Sequence, residues 1–231
     1  MRVEVIFRVD KDIILDKSMN DYITAFIYKC IGTNDTDYSK QLHDEGYLIG
    51  YKKYKYYTYS LRQNKKYVSN KLSKGEVSLC YSSAVDKSVL NFVKGLIKIG
   101  KMIISNYEFE IVSIEEKKEP TKFKEGIYTI TSPVYMTDIN NKWLSPQEME
   151  PYLVRNLINK YNCLYDELPN LDLQIKFLDH KTYYVKYKQY IYKTYFGHIA
   201  IKGDSELIKL AFQSGLGSQK GAGFGMIDEI K

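Results

Sequence analysis

A tyrosine, Tyr28, a histidine, His43, and three lysines, Lys52, Lys53 and Lys55, fall within one short stretch of the first half of the chain. Imidazole gives and takes protons near neutral pH, a phenol can do so where its surroundings allow, and an ammonium group neutralises developing negative charge. Together these types serve one reaction without a metal. A ribose 2′-hydroxyl attacks the adjacent phosphate once its proton is removed, the leaving 5′-oxygen needs a proton, and the crowded phosphate needs a cation. His43 is the leading acid/base candidate, although a lone histidine on a short helix is more often structural than catalytic.

Other chemistries find no support in the spacing. His180 and His198 are too dispersed for a histidine metal site. Cys30, Cys80 and Cys163 are odd in number and far apart, which supports neither a disulfide framework nor zinc and points to a reducing cytoplasm. No paired carboxylates show two-metal spacing, and serine-hydrolase and kinase motifs are absent. Neither a metal nor a cofactor is expected.

The elements that must position these residues follow from periodicity. Arg2–Val9 alternates, with Val3, Val5, Phe7 and Val9 on one face, and reads as a first strand rather than a signal peptide or anchor. Asp16 to Ile31 is helical, with a stripe of Met19, Tyr22, Ile23, Phe26, Ile27, Cys30 and Ile31 ended by Gly32. Tyr28 lies away from that stripe, so it is either simply exposed or turned toward a groove. Tyr38 to Glu45 is a short helix closed by Gly46, with His43 in its last turn. Gly50 to Leu61 is a basic aromatic strand that Lys66–Leu72 can pair with, and Glu76–Ser82 is a further strand. Ser83 or Asp86 caps a helix running to Ile99, whose lysine face is most simply solvated. Strands at Met102–Ile104 and Tyr107–Ile114 complete the first half.

Charged Glu115–Lys124, with Pro120, reads as an interdomain connection. The order then repeats. Gly126–Thr131 is a strand, and Ser145-Pro146-Gln147-Glu148 is a capping box opening a helix to about Tyr161. Leu171–Leu178 and Thr182–Tyr195 are strands turned by Asp179-His180-Lys181, followed by a strand at Phe196–Lys202. Asp204 or Ser205 caps the last helix, and a glycine-rich run, Gly215 to Gly225, leads to a last strand. Each half therefore has the βαββαβ order of a ferredoxin-like domain. The fold class is α+β: two tandem ferredoxin-like (RRM-like) domains, residues 1–118 and 119–231, with a C-terminal glycine-rich loop.

That run holds five glycines around Lys220. It is not a dinucleotide fingerprint, which needs a strand before it and a helix after, and it lacks the Gly-Lys-Ser/Thr of a P-loop. Its amides could cradle phosphate. The net charge of +6 and 23 tyrosines suit, without requiring, a polyanion held on basic aromatic strands. No window reaches the apolar length of a membrane span.

These residues also carry a resemblance. The glycine run followed by Phe224-Gly225-Met226-Ile227 resembles the C-terminal signature of the repeat-associated (RAMP) superfamily. The phrases Phe26-Ile27-Tyr28, Leu42-His43, Thr58-Tyr59-Ser60-Leu61 and Ser132-Pro133-Val134, in this order, resemble its CRISPR repeat-processing endoribonucleases. The resemblance spans nearly the whole chain. It implies two ferredoxin-like domains facing a cleft and metal-independent cleavage of CRISPR precursor RNA within each repeat. The ends left are a 2′,3′-cyclic phosphate and a 5′-hydroxyl.

The family's tyrosine and histidine fall on Tyr28 and His43. Its lysine, separated from the Thr-Tyr-Ser-Leu phrase by two aromatic or apolar residues, falls on Lys55. A long His-to-Lys segment, Asp44–Tyr54, keeps Lys52 and Lys53 as alternatives. The resemblance implies Tyr28 as base and His43 as acid, while the ordinary acidities of the two side chains leave the reverse open. RNA contacts are expected from Lys52 and Lys53, from Lys186 and Lys188 on a face that also carries Tyr184, Tyr190 and Tyr192, and from Gly215, Gly217, Lys220, Gly221 and Gly223. The partner implied is repeat RNA, single-stranded or hairpin, with effector-complex subunits or a second copy as further partners and no membrane. The rival is a non-catalytic RNA-binding subunit of the same superfamily, which would keep the glycine loop but need no His43.

Overall fold

The computed structural model describes residues 1–15, 18–49, 52–166, 172–218 and 220–230, with Ile49, Lys52 and Lys220 placed by backbone alone. Asp16, Gly50, Tyr51, Leu171 and Gln219, which the readings above place in elements or in the glycine run, lie outside the described residues.

The first unit runs β1 (Arg2–Val9), β2 (Ile13–Ile14), α1 (Met19–Asn34), α2 (Thr36–Lys40), a π-helical turn (Gln41–Glu45), β3 (Tyr47–Ile49), β4 (Lys52–Tyr54) and β5 (Tyr57–Gln63). It continues through β6 (Lys66–Tyr67), β7 (Lys71–Leu72), β8 (Gly75–Ser83), α3 (Asp86–Ile99), β9 (Lys101–Ile104) and β10 (Tyr107–Glu116). The second unit contains β11 (Gly126–Ile130), α4 (Pro146–Tyr165), β12 (Leu173–Tyr187), β13 (Tyr190–Gly203), α5 (Ser205–Ser214), a short 3-10 turn (Lys220–Ala222) and β14 (Ile227–Glu229).

Strand order is β6-β5-β8-β1-β10-β9 in the first sheet and β12-β13-β11-β14 in the second. In each, the first strand sits centrally beside the third and fourth strands of its βαββαβ unit, which is the ferredoxin-like arrangement, twice. Alternation explains the packing. Val3, Val5, Phe7 and Val9 are buried on one face of β1. The apolar stripe of α1 meets them, with Phe26 edge-on to both Phe7 and Phe92. A second core gathers around Tyr128, Leu153, Leu157, Ile199, Leu207 and Ala211.

Four local expectations are corrected. Gly32 does not end α1, which runs on to Asn34, because Asp35 both closes it and caps α2 through its carboxylate. Neither Ser83 nor Asp86 is the N-cap of α3. Val85 holds that position without a side-chain bond, while Ser83 Oγ accepts from the Val85 amide. The turn read at Asp179-His180-Lys181 lies within one long strand. Those residues pair with His198, Gly197 and Phe196 across a bulge, and the chain reverses at Lys188, whose φ is 53°. Lys186 and Lys188 therefore do not share one strand face with Tyr190 and Tyr192.

The basic aromatic strand is also divided, between β4 and β5. Tyr54 and Tyr56 are buried in the second core, whereas Tyr57 and Tyr59 belong to the first. The strand is interrupted at Lys55 and Tyr56, and the chain passes from the second core to the first between Tyr56 and Tyr57.

Two features join the units. Arg2, 3% exposed, reaches from β1 into the second unit. Its guanidinium pairs with Asp228, donates to the Phe212 and Ile227 carbonyls at 2.6 and 3.1 Å, and lies 3.7 Å above the Phe212 ring. The glycine-rich loop supplies carbonyls. Thr58 Oγ1 donates to Phe224 O, Thr24 Oγ1 to Gly221 O, and Asn20 Nδ2 to Ala222 O.

Candidate functional site

Tyr28 lies on α1 just beside the helix's buried stripe, so its ring packs against the first core while its hydroxyl reaches a cleft between the units. The π-helical turn comes next, anchored by buried Leu42, and delivers the imidazole of His43 edge-on to Tyr28 with ring centroids 5.0 Å apart. Lys55 is held between Tyr54 and Tyr56, both buried in the second core. Its Nζ donates to Tyr28 Oη at 2.6 Å and to the His43 carbonyl at 3.4 Å. Side chains from α1, the π-helical turn and the β4–β5 link thus gather around Tyr28, His43 against its ring and Lys55 on its hydroxyl.

A fourth participant was not singled out from sequence. Tyr57 Oη donates to Tyr28 Oη at 2.8 Å. Nothing separates Tyr57 from the other tyrosines of the chain by pattern; its neighbour Lys55 and the adjoining Thr-Tyr-Ser-Leu phrase were the available signals. The cleft floor is Gly221, where an added Cβ would stand 3.1 Å from Lys55 Cδ and 3.2 Å from Tyr57 Oη.

The electrostatics follow from this half-dry position. Burial pushes the Tyr28 phenol up to about 12, opposed by the hydrogen bond from Tyr57, so the hydroxyl keeps its proton at neutral pH. Burial, then the neighbouring Tyr28 and Tyr81 phenols, push Tyr57 well above the usual tyrosine range, so it too keeps its proton. Desolvation, then the nearby charge of Lys188, lowers Lys55 from the usual lysine range. His43 Nδ1 lies 2.7 Å from the Asp44 carboxylate, and that bond holds Asp44 below the usual carboxylate range. With a carboxylate as its partner, Nδ1 carries the hydrogen, which leaves Nε2 as the ring's proton acceptor.

The cleft encloses about 700 Å³. Of the residues expected to contact RNA, Lys53, Lys188, Gly217 and Gly221 line it together with Tyr28, His43 and Lys55. Lys53 Nζ donates to the Asp44 carbonyl at 2.7 Å, and Lys188 is fixed by its amide on the Asp21 carboxylate at 2.9 Å. Lys186 is exposed on the β12–β13 hairpin and does not line the cleft. Gly215 and Gly223 are buried in the joint between the units. The side chains of Lys52 and Lys220 lie outside the described set.

The loop amides correct the phosphate-cradle expectation in part. Those of Leu216, Ser218, Gly225 and Met226 are bonded to Gly225 O, Tyr135 O, Pro133 O and Ser132 Oγ.

The far wall of the cleft is α4, through Tyr152, Arg155, Asn156 and Asn159. Sequence reading passed over them, although their i, i+3, i+4, i+7 spacing beside buried Met149, Leu153 and Leu157 was a visible polar stripe. Among the described residues, no group of three or more His, Cys, Asp or Glu side chains is placed to hold a metal ion.

Comparison with known proteins identifies the family of the chain. Residues 114–229 match the family model described as CRISPR associated protein Cas6, C-terminal, and residues 14–115 match that of CRISPR-associated protein Cas6, N-terminal. A CRISPR-associated endoribonuclease Cas6 from Methanocaldococcus jannaschii is 28% identical over 245 residues, covering 100% of this chain and 93% of that protein. A solved CRISPR-associated Cas6 protein superposes with a TM-score of 0.79 at 26% identity, covering 100% of this chain and 99% of the other. A RAMP protein that binds different RNA substrates shares the fold, with a TM-score of 0.81 at 20% identity and complete coverage of both chains.

Proposed function

Because the chain belongs to the CRISPR-associated Cas6 family, we propose that this endoribonuclease cleaves CRISPR precursor RNA within its repeats at the cleft of Tyr28, His43 and Lys55. The observation that carries the site is the convergence of Lys55 Nζ and Tyr57 Oη on Tyr28 Oη, with His43 edge-on beside it. These groups supply two proton carriers and a cation, which is what 2′-hydroxyl attack requires. Cleavage is metal-independent in this scheme and leaves a 2′,3′-cyclic phosphate and a 5′-hydroxyl.

The protonation states favour an order of roles. Tyr28 retains its proton at neutral pH and so enters as the donor to the leaving 5′-oxygen. His43 Nε2, its ring oriented by Asp44, takes the proton of the 2′-hydroxyl. This reverses the order implied by the resemblance. Lys55 stabilises the crowded phosphate, and Tyr57 holds the Tyr28 oxygen in place and supports the phenolate left after proton transfer.

Repeat RNA is the partner, held along the cleft by Lys53 and Lys188. Residues 1–118 and 119–231 are the two domains. The protein acts in a reducing cytoplasm, where Cys30, Cys80 and Cys163 remain thiols. Among the described residues no helix is long and apolar enough to cross a membrane.

The test is single-turnover cleavage of the host's repeat RNA in excess EDTA, beside a substrate with a 2′-deoxyribose at the cut. Cleavage is expected to persist in EDTA and to stop with the 2′-deoxy substrate; loss in EDTA points to a metal, and cutting of the deoxy substrate rules out 2′-hydroxyl attack. An RNA whose leaving 5′-oxygen is replaced by sulfur separates the roles, since thiolate departs without a proton. It rescues Tyr28→Phe if Tyr28 is the acid, and His43→Ala if the reverse order holds. Repeat binding without cleavage by the wild type would instead favour the non-catalytic subunit.

A further inference from the structure

The groups that perform the proposed reaction read no sequence. Tyr28, His43 and Lys55 meet ribose and phosphate, and lysines on the cleft meet backbone charge. An enzyme that cuts a repeat at one place also needs side chains that distinguish bases close to the scissile phosphate.

We propose that the polar stripe of α4 is that reader: Asn156 and Asn159 bind the Watson–Crick edge of a nucleotide flanking the cut, and Arg155 holds its phosphate. This rests on the cleft being the site of cleavage. Three observations support it. The stripe lines the same cleft as the catalytic candidates, from the opposite domain. It stands on a 20-residue helix that opens with a capping box and runs on past the internal Pro151, and Met149, Leu153 and Leu157 buried beneath it anchor the turns that carry the stripe. Its chemistry also differs from that of the other wall. A carboxamide presents a donor and an acceptor side by side, the pattern that matches an adenine edge, whereas ammonium groups offer only donors.

Arg155 adds direction. Its guanidinium lies 4.9 Å above the Tyr152 ring, which steers the planar fork over the cleft rather than leaving it to sweep solvent. Asn156 and Asn159 are half-buried, as a pair reading an unstacked base from inside a groove would be. A single-stranded or splayed nucleotide is therefore the form this wall receives.

The experiment uses the full-length protein and a pool of repeat RNAs randomised at the nucleotides flanking the cleavage site, with reacted and unreacted RNAs sequenced. Wild type is expected to select one base at one or two of those positions. Asn156→Ala and Asn159→Ala should each flatten that selection by about tenfold, while the favoured position of the cut and the product termini stay the same. Asn156→Asp and Asn159→Asp, which keep the shape but exchange donors for acceptors, should shift the preference toward a base offering donors. Arg155→Ala should weaken all sequences alike and reduce the salt dependence.

A flattened or shifted profile supports the assignment; an unchanged profile in the four asparagine variants overturns it and leaves the endoribonuclease reading intact. Should wild type cleave no member of the pool, both fall together. A general loss of rate with an unchanged profile in the aspartate variants would mean that the stripe only supports the fold, and would equally overturn the assignment.

Discussion

Two cations lie along the joint between the domains, and they are treated in opposite ways. Arg2 is buried with its charge already answered by Asp228, two carbonyls and the Phe212 ring. Lys55 stands at the cleft on a neutral phenol oxygen and a carbonyl, with no carboxylate within salt-bridge distance among the described residues. A buried charge needs a built-in counter-charge, or its desolvation works against the fold. A cation given only neutral oxygens beside an open cleft is electrostatically ready for an anion that arrives from outside. The Arg2 end of the joint therefore holds the domains together, and the Lys55 end is where a phosphate can be received.

This contrast can be broken or sharpened by experiment. The largest effect is expected from the cleft. His43→Ala and Tyr28→Phe should each lower single-turnover cleavage by about 10²–10⁴-fold, with the thermal unfolding midpoint unchanged. If either loses stability in proportion to activity, the cleft residues are structural after all.

Next comes the clamp. Arg2→Ala should lower the free energy of unfolding in urea by about 3 kcal/mol, the low end of the range because Arg62 remains 3.4 Å from Asp228. The folded fraction should still cleave normally, and a selective loss of cleavage would show that the clamp reaches the chemistry.

The glycine loop touches both regions and divides between them. Gly223 has a φ of 79°, and a Cβ there would run into the Tyr59 ring, so Gly223→Ala should cost about 1–3 kcal/mol of stability. At Gly221 the added methyl meets the flexible Lys55 side chain and Tyr57 Oη instead. Gly221→Ala should therefore depress cleavage while denaturant midpoints hold. Equal behaviour of the two variants would erase the division.

The smallest effect concerns alkali. Folding raises Tyr28 from about 10 to about 12, so between those values the native state holds a proton that the unfolded chain has lost. The associated stability is intact below about pH 10 and lost as pH rises through about 12. Tyr28→Phe should lose less stability than wild type in alkaline urea titrations, the remainder coming from the other buried tyrosines. An identical alkaline decline would show that Tyr28 is not held in its neutral form.

Much of the fold was legible because the elements obey local rules. The period of two in β1, the helical stripe of α1 and the capping box of Ser145 and Glu148 depend only on neighbours in the chain, and each forms as read. The misreadings occur where a distant segment overrides the local pattern. Asp179-His180-Lys181 has turn composition, yet β13 pairs with it through its whole length. Gly50 to Leu61 has strand composition, but Tyr54 and Tyr56 are claimed by one core and Tyr57 and Tyr59 by the other.

The candidate site divides along the same line. The sequence by itself determined the order of elements, the types of side chain able to move protons, and the phrases that carry the family resemblance. Tertiary structure alone decided that, among the described side chains, Lys55 is the lysine whose Nζ meets Tyr28 Oη, that Tyr57 joins them, and that an arginine and two asparagines from α4 face them. It also turned much of the glycine loop from an expected phosphate cradle into a buried joint between domains. The reason is geometric: periodicity fixes which face a side chain occupies on its own element, whereas the separation between side chains on different elements is set by how two cores pack.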